Sequence, residues 1–353
     1  MPIDTHVHLR DEEQKHKETI KHGLEVAFDS GVHAIFDMPN TARPVITKER
    51  ILNRLKLAKD ANVPGVFYGL YLGLTNEAEQ VKQAVDIYME GEFSPYLVGM
   101  KLYAGHSVGN LGVTRIEQQE AVYETLSNSG YSGVLVVHCE KESYINRENF
   151  DPKVAVTHCH AQPEKAEIES VKDQIRLARK YNFPGKLHIA HISSPIAVGI
   201  VNKTKKEGMD ISSAICPHHF IYDWRQMNVP NGIFWKMNPP LREYESREKI
   251  FKMLRNGEID WIETDHAPHT LDEKIKSPFM SGIPGLAWWP LFIEFLSQNN
   301  FSGEQIERLT FSNAAERFGV EIKKVRREIK DRRKDYPFDP YEKIAQELEW
   351  PAG

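Results

Sequence analysis

Residues 4–10 read Asp-Thr-His-Val-His-Leu-Arg, directly after the short run Met1-Pro2-Ile3. The first strand of a doubly wound, nucleotide-binding sheet should be followed by a glycine-rich phosphate turn. This one ends instead in an alternating histidine pair and an arginine. Residues i and i+2 of a strand project to the same face, so the His6 and His8 imidazoles can reach one centre. Alternating histidines also occur as packed core residues, so the pair needs company from other strands to count as a site.

That company is found along the chain. Short β-branched runs alternate with amphipathic stretches, the pattern of a parallel sheet with crossover helices. Strands are predicted at Pro2–His8, His33–Met38, Gly65–Leu72, Leu97–Tyr103, Gly133–His138, Lys186–His191, Ile211–Cys216 and Trp261–Asp265. Helices are predicted over Thr47–Ala61, Asn76–Glu90, Ile116–Ser127, Pro163–Tyr181 and Ser194–Glu207. Eight such units in about 300 residues match an α/β fold of the (β/α)₈ TIM-barrel type. Nearly every strand ends in a polar cluster: HVHLR, MPNT, KLYAG, HCE, HISS, CPHH, TDHAPH. Barrel enzymes carry their chemistry on that rim. The expected division is a catalytic barrel over residues 1–319 and a helical extension over 320–353 packed on it. Glu321–Glu342 is dense in Lys, Arg, Asp and Glu, as a solvated helix would be.

Composition narrows the function classes. The 353 residues are 41% hydrophobic and 27% charged with a formal net charge of −5, giving no basic footprint for nucleic acid. No apolar run is long enough to span a bilayer, and the polar start resembles no signal peptide. Three cysteines without paired spacing give no disulfide framework, and a cytoplasmic setting is expected.

His138, His191 and Asp265 end the fifth, sixth and eighth strands on the rim shared with His6 and His8. Four imidazoles and a carboxylate from separate strands suit zinc or another borderline divalent ion. Lys101 ends the fourth strand inside GMKLYAG. Beside cations an ammonium must lose its proton or be chemically altered, unless it pairs with a carboxylate. His158, Cys159 and His160 end no strand and read as structural or surface residues. His218 and His219 read as supporting or packing residues, His188 as pointing away from His191, and Trp288 and Trp289 as core. The loop Gly105–Val113 has the composition of a lid and equally of a plain surface loop.

The set DTHVHLR, FDMPNT, MKLYAG, VVHCE, HIAHISS, CPHH, MNPPLR and TDHAPH, in this order, resembles dihydroorotases of the amidohydrolase superfamily, up to about Gly319. The resemblance implies two divalent metal ions, zinc first among them. His6, His8 and Asp265 would hold one and His138 and His191 the other, bridged by a CO₂-derived carbamate on Lys101. It further implies that Arg10, Asn40 and His269 grip the carboxylate of a small-molecule substrate, with Asn238 and the backbone near Ser281 on the ring amides. Asp265 would carry a proton from attacking hydroxide to the ring nitrogen. The implied reaction is the interconversion of L-dihydroorotate and N-carbamoyl-L-aspartate in pyrimidine biosynthesis. Competing readings are a hydantoinase, dihydropyrimidinase or allantoinase, and an inactive scaffold supporting aspartate transcarbamoylase. The small β-sandwich of longer relatives is expected to be absent, which points to self-association as a homodimer; an aspartate transcarbamoylase partner is a further expectation.

Overall fold

The structure is a computed structural model and describes residues 1–350. Eight parallel strands follow one another around a single sheet in chain order. They are β1 Ile3–Val7, β2 Ala34–Asp37, β3 Phe67–Gly73, β4 Leu97–Ala104, β5 Val134–Cys139, β6 Lys186–Ile189, β7 Ile211–Ile215 and β8 Trp261–Ile262. The sheet closes through residues just beyond β8. Val7 and His266 form a parallel bridge, and the His8 N–H donates to the His266 carbonyl at 2.8 Å. The Asp4 carboxylate draws the same seam together, accepting from the Thr264 hydroxyl at 2.6 Å and the Trp289 indole at 2.8 Å.

A long helix follows each strand: α1 Ile20–Asp29, α2 Lys48–Ala61, α3 Ala78–Met89, α4 Ile116–Asn128, α5 Glu164–Lys180, α6 Pro195–Lys206, α7 Tyr244–Arg255 and α8 Trp289–Gln298. Their starts are written locally. Thr19, Thr47 and Ser194 accept the orphan N–H three residues on, and Pro195 sits at the first position of α6, where its missing N–H costs nothing. Alternation along the strands separates two cores. Ile35, Leu135 and Val137 pack under the helices, while Ala34, Phe36, Val134 and Val136 fill the barrel lumen with Tyr71 and Trp261. Phe311 and Phe318 join the lumen cluster, so the interior is a packed core rather than a pore. Trp288 and Trp289 are core, fully buried.

The C-terminal extension corrects the sequence expectation. No helix forms over residues 321–332, which carry no regular secondary structure; among the described residues the extension then makes one 3₁₀ turn at Arg333–Asp335 and is α-helical at Glu342–Glu347. Residues 351–353, the end of the expected extension, lie outside the described residues. As a helix this segment would set Lys323 against Arg326 and Arg327, and Arg326 against Lys330, like charges at i,i+3 and i,i+4. As a strap it instead finds partners before β2. Arg327 donates to the Val32 carbonyl at 2.9 Å, the Lys330 N–H to the Asp29 carbonyl at 2.9 Å, and Arg332 to the Asp29 carboxylate at 2.7 Å.

The strap's far end is held by titratable groups. His22 bridges the Glu18 carboxylate and Asp335 (2.9 Å), and the Tyr336 hydroxyl donates to Glu18 at 3.2 Å. The hydrogen bond that His22 donates to Glu18 raises the His22 pKa to about 9. Burial works to raise Glu18, but its bonds to His22 and His266 outweigh this and hold it at about 2. The raised His22 stabilises fully below its unfolded value of 6.5, and that contribution is lost as pH rises through about 9. The depressed Glu18 stabilises above 4.5, and its contribution is lost as pH falls through about 2. The protection of amides 330–341, taken as hydrogen exchange relative to the intrinsic base-catalysed rate, should therefore be greatest between these limits and fall towards pH 9. His22→Gln should flatten the alkaline limb; an unchanged profile in that variant would refute the linkage.

Candidate active site

At the end of β1, Leu9 and Arg10 are fixed from behind. The Leu9 N–H donates to Asp37 at 2.9 Å, while Arg54 donates to the Leu9 and Arg10 carbonyls at 2.7 and 3.0 Å and pairs with Asp37. Arg54 and Asp37 are buried; Asp37 lies within the FDMPNT motif, whereas Arg54 lies outside every motif.

His6 Nε2 and His8 Nε2 face the same Asp265 oxygen, at 3.4 and 2.9 Å. The three residues offer ligand atoms within 4.8 Å of one another. The second nitrogen of each ring is held in turn: His6 Nδ1 by Glu263 at 3.3 Å and His8 Nδ1 by the Asn40 carboxamide oxygen at 2.8 Å. Outer hydrogen bonds of this kind fix the tautomer and orientation of metal-binding histidines. His138 Nδ1 lies 3.1 Å from His191 Nε2, and its other nitrogen lies 3.2 Å from Glu140. The His6 and His191 rings sit 5.0 Å apart, so the two pairs adjoin.

Lys101 reaches into this cluster from β4. Its Nζ is buried, makes no hydrogen bond and lies 5.0 Å from the centre of the Tyr103 ring. Burial lowers its pKa to about 8. Burial first, then Lys101, pushes His6 down to about 4. His8 and His191 are likewise driven well below their ordinary value, chiefly by burial. These imidazoles are neutral at pH 7, the form in which they bind metal.

Two rim residues adopt left-handed backbone, His191 at φ +36° and Asp265 at φ +49°. Such strain costs about 1–3 kcal/mol per residue and concentrates at functional sites. It also ends the regular ladders of β6 and β8 earlier than predicted, and it corrects the reading of His188. That ring stacks on Trp261 in the lumen at 4.3 Å and donates to or accepts from Ser212 Oγ at 3.0 Å. The left-handed turn swings His191 back towards the same interior, so strand alternation fails across the pair.

Glu263 escaped the sequence reading, although its position two residues before Asp265 in IETD places both on one strand face. It accepts from the Thr5 hydroxyl at 2.6 Å and the His191 N–H at 2.7 Å besides holding His6. Burial disfavours its charge, but the His6 and His188 imidazoles outweigh this and keep the carboxyl well below its usual range. Glu263→Ala strands three buried polar groups at about 1–3 kcal/mol each. Urea unfolding should show a loss of about 3 kcal/mol or more, with Glu263→Gln losing less; a loss below about 1 kcal/mol would remove Glu263 from the frame of the site.

A cavity of about 470 Å³ opens over the cluster, with Arg10, Asn40, Asn238, His269 and Ser281 in its wall. Arg10 is buried, donates to the Asn40 carbonyl at 2.7 Å, and has no ion pair among the described residues. Its Nε has no partner. His269 Nε2 donates to the Ser281 carbonyl at 3.0 Å, and Ser281 Oγ lies 3.4 Å from the Asn238 side chain. Gly282 makes this turn possible: its φ is +130°, and a Cβ there would lie 2.6 Å from the Ala267 carbonyl. Asn40 has a task beyond the expected substrate contact, since its oxygen is engaged by His8. His158 is buried against the Met237 carbonyl at 2.9 Å, while His160 turns outward against Trp224; with Cys159 they do not converge.

A parallel (β/α)₈ barrel that gathers imidazoles, a carboxylate and a lysine without a hydrogen-bond partner on one rim has the form of a hydrolase of the amidohydrolase class. No family model matches the chain. It is 30% identical over 328 residues to a dihydroorotase of Methanosphaera stadtmanae, covering 90% of this chain and 70% of that one. It is also 30% identical over 330 residues to a dihydroorotase of Fusobacterium nucleatum, covering 90% and 72%. The chain belongs to the dihydroorotase family. Its fold is shared with an L-hydantoinase (dihydropyrimidinase) from Arthrobacter aurescens, with a TM-score of 0.76 at 23% identity over 90% of this chain and 70% of that one. A D-hydantoinase superposes at TM-score 0.75 with 20% identity, covering 89% and 70%. Among the described residues no helix is long and apolar enough to cross a membrane.

Proposed function

We propose that the protein interconverts L-dihydroorotate and N-carbamoyl-L-aspartate. The observation that carries this reading is Arg10, a buried guanidinium facing the cavity with no anion of its own. A ring carboxylate supplies that anion through a charge-assisted fork, whereas hydantoin, dihydrouracil and allantoin rings offer none.

The donor set fits two divalent ions. His6, His8 and Asp265 would hold one and His138 and His191 the other, with Lys101 between them as a CO₂-derived carbamate. The support is the partnerless Lys101 Nζ, out of place as an ammonium, and the neutral imidazoles around it. Nitrogen and oxygen donors suit zinc. When bound, such ions supply Lewis-acid polarisation of the scissile carbonyl and a water acidic enough to attack at neutral pH.

The chain's own residues do the rest. Arg10 fixes the substrate carboxylate, His269 joining it by exchanging its bond to the Ser281 carbonyl for one to the carboxylate, and Asn238 with the Ser281 backbone meets the ring amides. Asp265, held against His8, accepts the proton of the attacking water and returns it to the departing ring nitrogen. Asn40 keeps the His8 ring oriented while its amide nitrogen faces Ser107 in the 105–113 loop, which we assign as the lid. The proposed setting is the cytoplasm, with residues 1–319 as the catalytic unit, self-association as a homodimer, and aspartate transcarbamoylase as a candidate partner.

The test is hydrolysis of L-dihydroorotate, hydantoin and dihydrouracil by the purified chain, with metal measured on the same sample. Turnover of dihydroorotate with at least two metals per chain is the expected outcome. Turnover of only a carboxylate-free ring would overturn the substrate, and a metal-free, inactive chain would leave the scaffold reading in its place.

A further inference from the structure

A second group of ligand atoms lies behind the rim, outside the cavity wall. Cys216 ends β7, and His218 and His219 follow it on the short helix Pro217–Ile221. All three are buried, at 0%, 1% and 3% exposure. Each offers an atom within 4.8 Å of the others, and the two rings meet edge to face at 4.3 Å. None of the three lines the active-site cavity.

The hydrogen bonding leaves one nitrogen of each ring bare. His219 Nε2 donates to the Pro239 carbonyl at 3.0 Å, which puts the lone pair on Nδ1, and that atom has no partner. His218 Nδ1 lies 3.4 Å from the Tyr341 hydroxyl of the C-terminal extension, and its Nε2 has no partner. A buried imidazole with one nitrogen held by a carbonyl or hydroxyl and the other free is the arrangement metal-binding histidines adopt. Two such rings beside a buried thiol need an explanation that packing alone does not give.

We propose that Cys216, His218 and His219 form a separate metal site for Zn²⁺. One thiolate and two imidazoles are a borderline-soft donor set, in contrast to the all nitrogen-and-oxygen set on the rim. Binding would release the Cys216 thiol proton to solvent, since a coordinating thiol is deprotonated. The ion would tie the end of β7 to the helix that follows it and to the Tyr341 region of the extension. The site shares no residue with the rim cluster and does not rest on the reaction proposed above.

Sulfur makes the test selective. Full-length protein is titrated with Co²⁺ as the probe, and the sulfur-to-cobalt charge-transfer absorption is recorded beside bound metal per chain. The rim cluster contains no sulfur, so that band reports cysteine ligation alone. The expected result is a band whose final intensity corresponds to one thiolate-bound cobalt per chain, and which disappears in Cys216→Ala and in the similarly sized Cys216→Ser, weakens strongly in His219→Gln, and survives in Cys159→Ala. Zinc-loaded Cys216→Ser should hold one ion fewer per chain than wild type. Absence of the band at saturating Co²⁺, or its persistence in both Cys216 variants, would overturn the site, whatever the enzyme does with dihydroorotate.

Discussion

Asp265→Asn should lower kcat for ring opening by about 10²–10⁴-fold, the usual size of a general acid–base contribution. The substitution is nearly isosteric. It also keeps a residue type that tolerates left-handed backbone, which matters because Asp265 sits at φ +49°. The fold should therefore survive, with an unfolding midpoint close to wild type. What asparagine cannot do is accept a proton from the attacking water. Nor does it carry the negative charge that the His6 and His8 nitrogens face. Metal content measured beside kcat separates the two losses. A fully loaded but slow variant isolates proton transfer, and a depleted one isolates ligation. Turnover within a few-fold of wild type would remove Asp265 from both roles.

The legible part of this protein was its rim. A parallel barrel puts the ends of all its strands on one side, so polar clusters ending successive strands announce a site before any contact is known. His6, His8, Lys101, His138, His191 and Asp265 converge for that reason. What was not legible depends on contacts between residues distant in sequence. Glu263 supports His6 across 257 positions, and Arg54 reaches Leu9 across 45. Arg54 has no local pattern, and Glu263 has only its place two residues before Asp265. His188 was misplaced because alternation assumes regular strand backbone, and His191 turns left-handed just past β6. The extension was misread for a related reason. Ile322, Val325 and Ile329 have helical spacing, but the like charges between them oppose a helix, and the backbone and arginines find partners at Asp29 and Val32 instead.

Arg10→Met should separate substrates more sharply than any other single change. Truncating one partner of a buried, hydrogen-bonded charge pair costs about 2–5 kcal/mol, or about 30–5,000-fold in kcat/KM for a substrate carrying the ring carboxylate. Dihydrouracil and hydantoin lack that group, and their kcat/KM should hold steady or rise. Within the protein the Arg10 guanidinium donates to the Asn40 carbonyl, and burial lowers its pKa, so its surroundings disfavour the charge. Methionine fills a similar length without that desolvated charge, so thermal stability should stay level or increase as activity on dihydroorotate falls. That combination is the expected mark of a residue kept for binding at a cost in stability. Arg10→Lys should fall between the two, since it keeps the charge but not the two-pronged geometry. An equal loss of kcat/KM on all three rings would mean that Arg10 shapes the cavity in general, and the carboxylate could then no longer be taken as the feature the site selects.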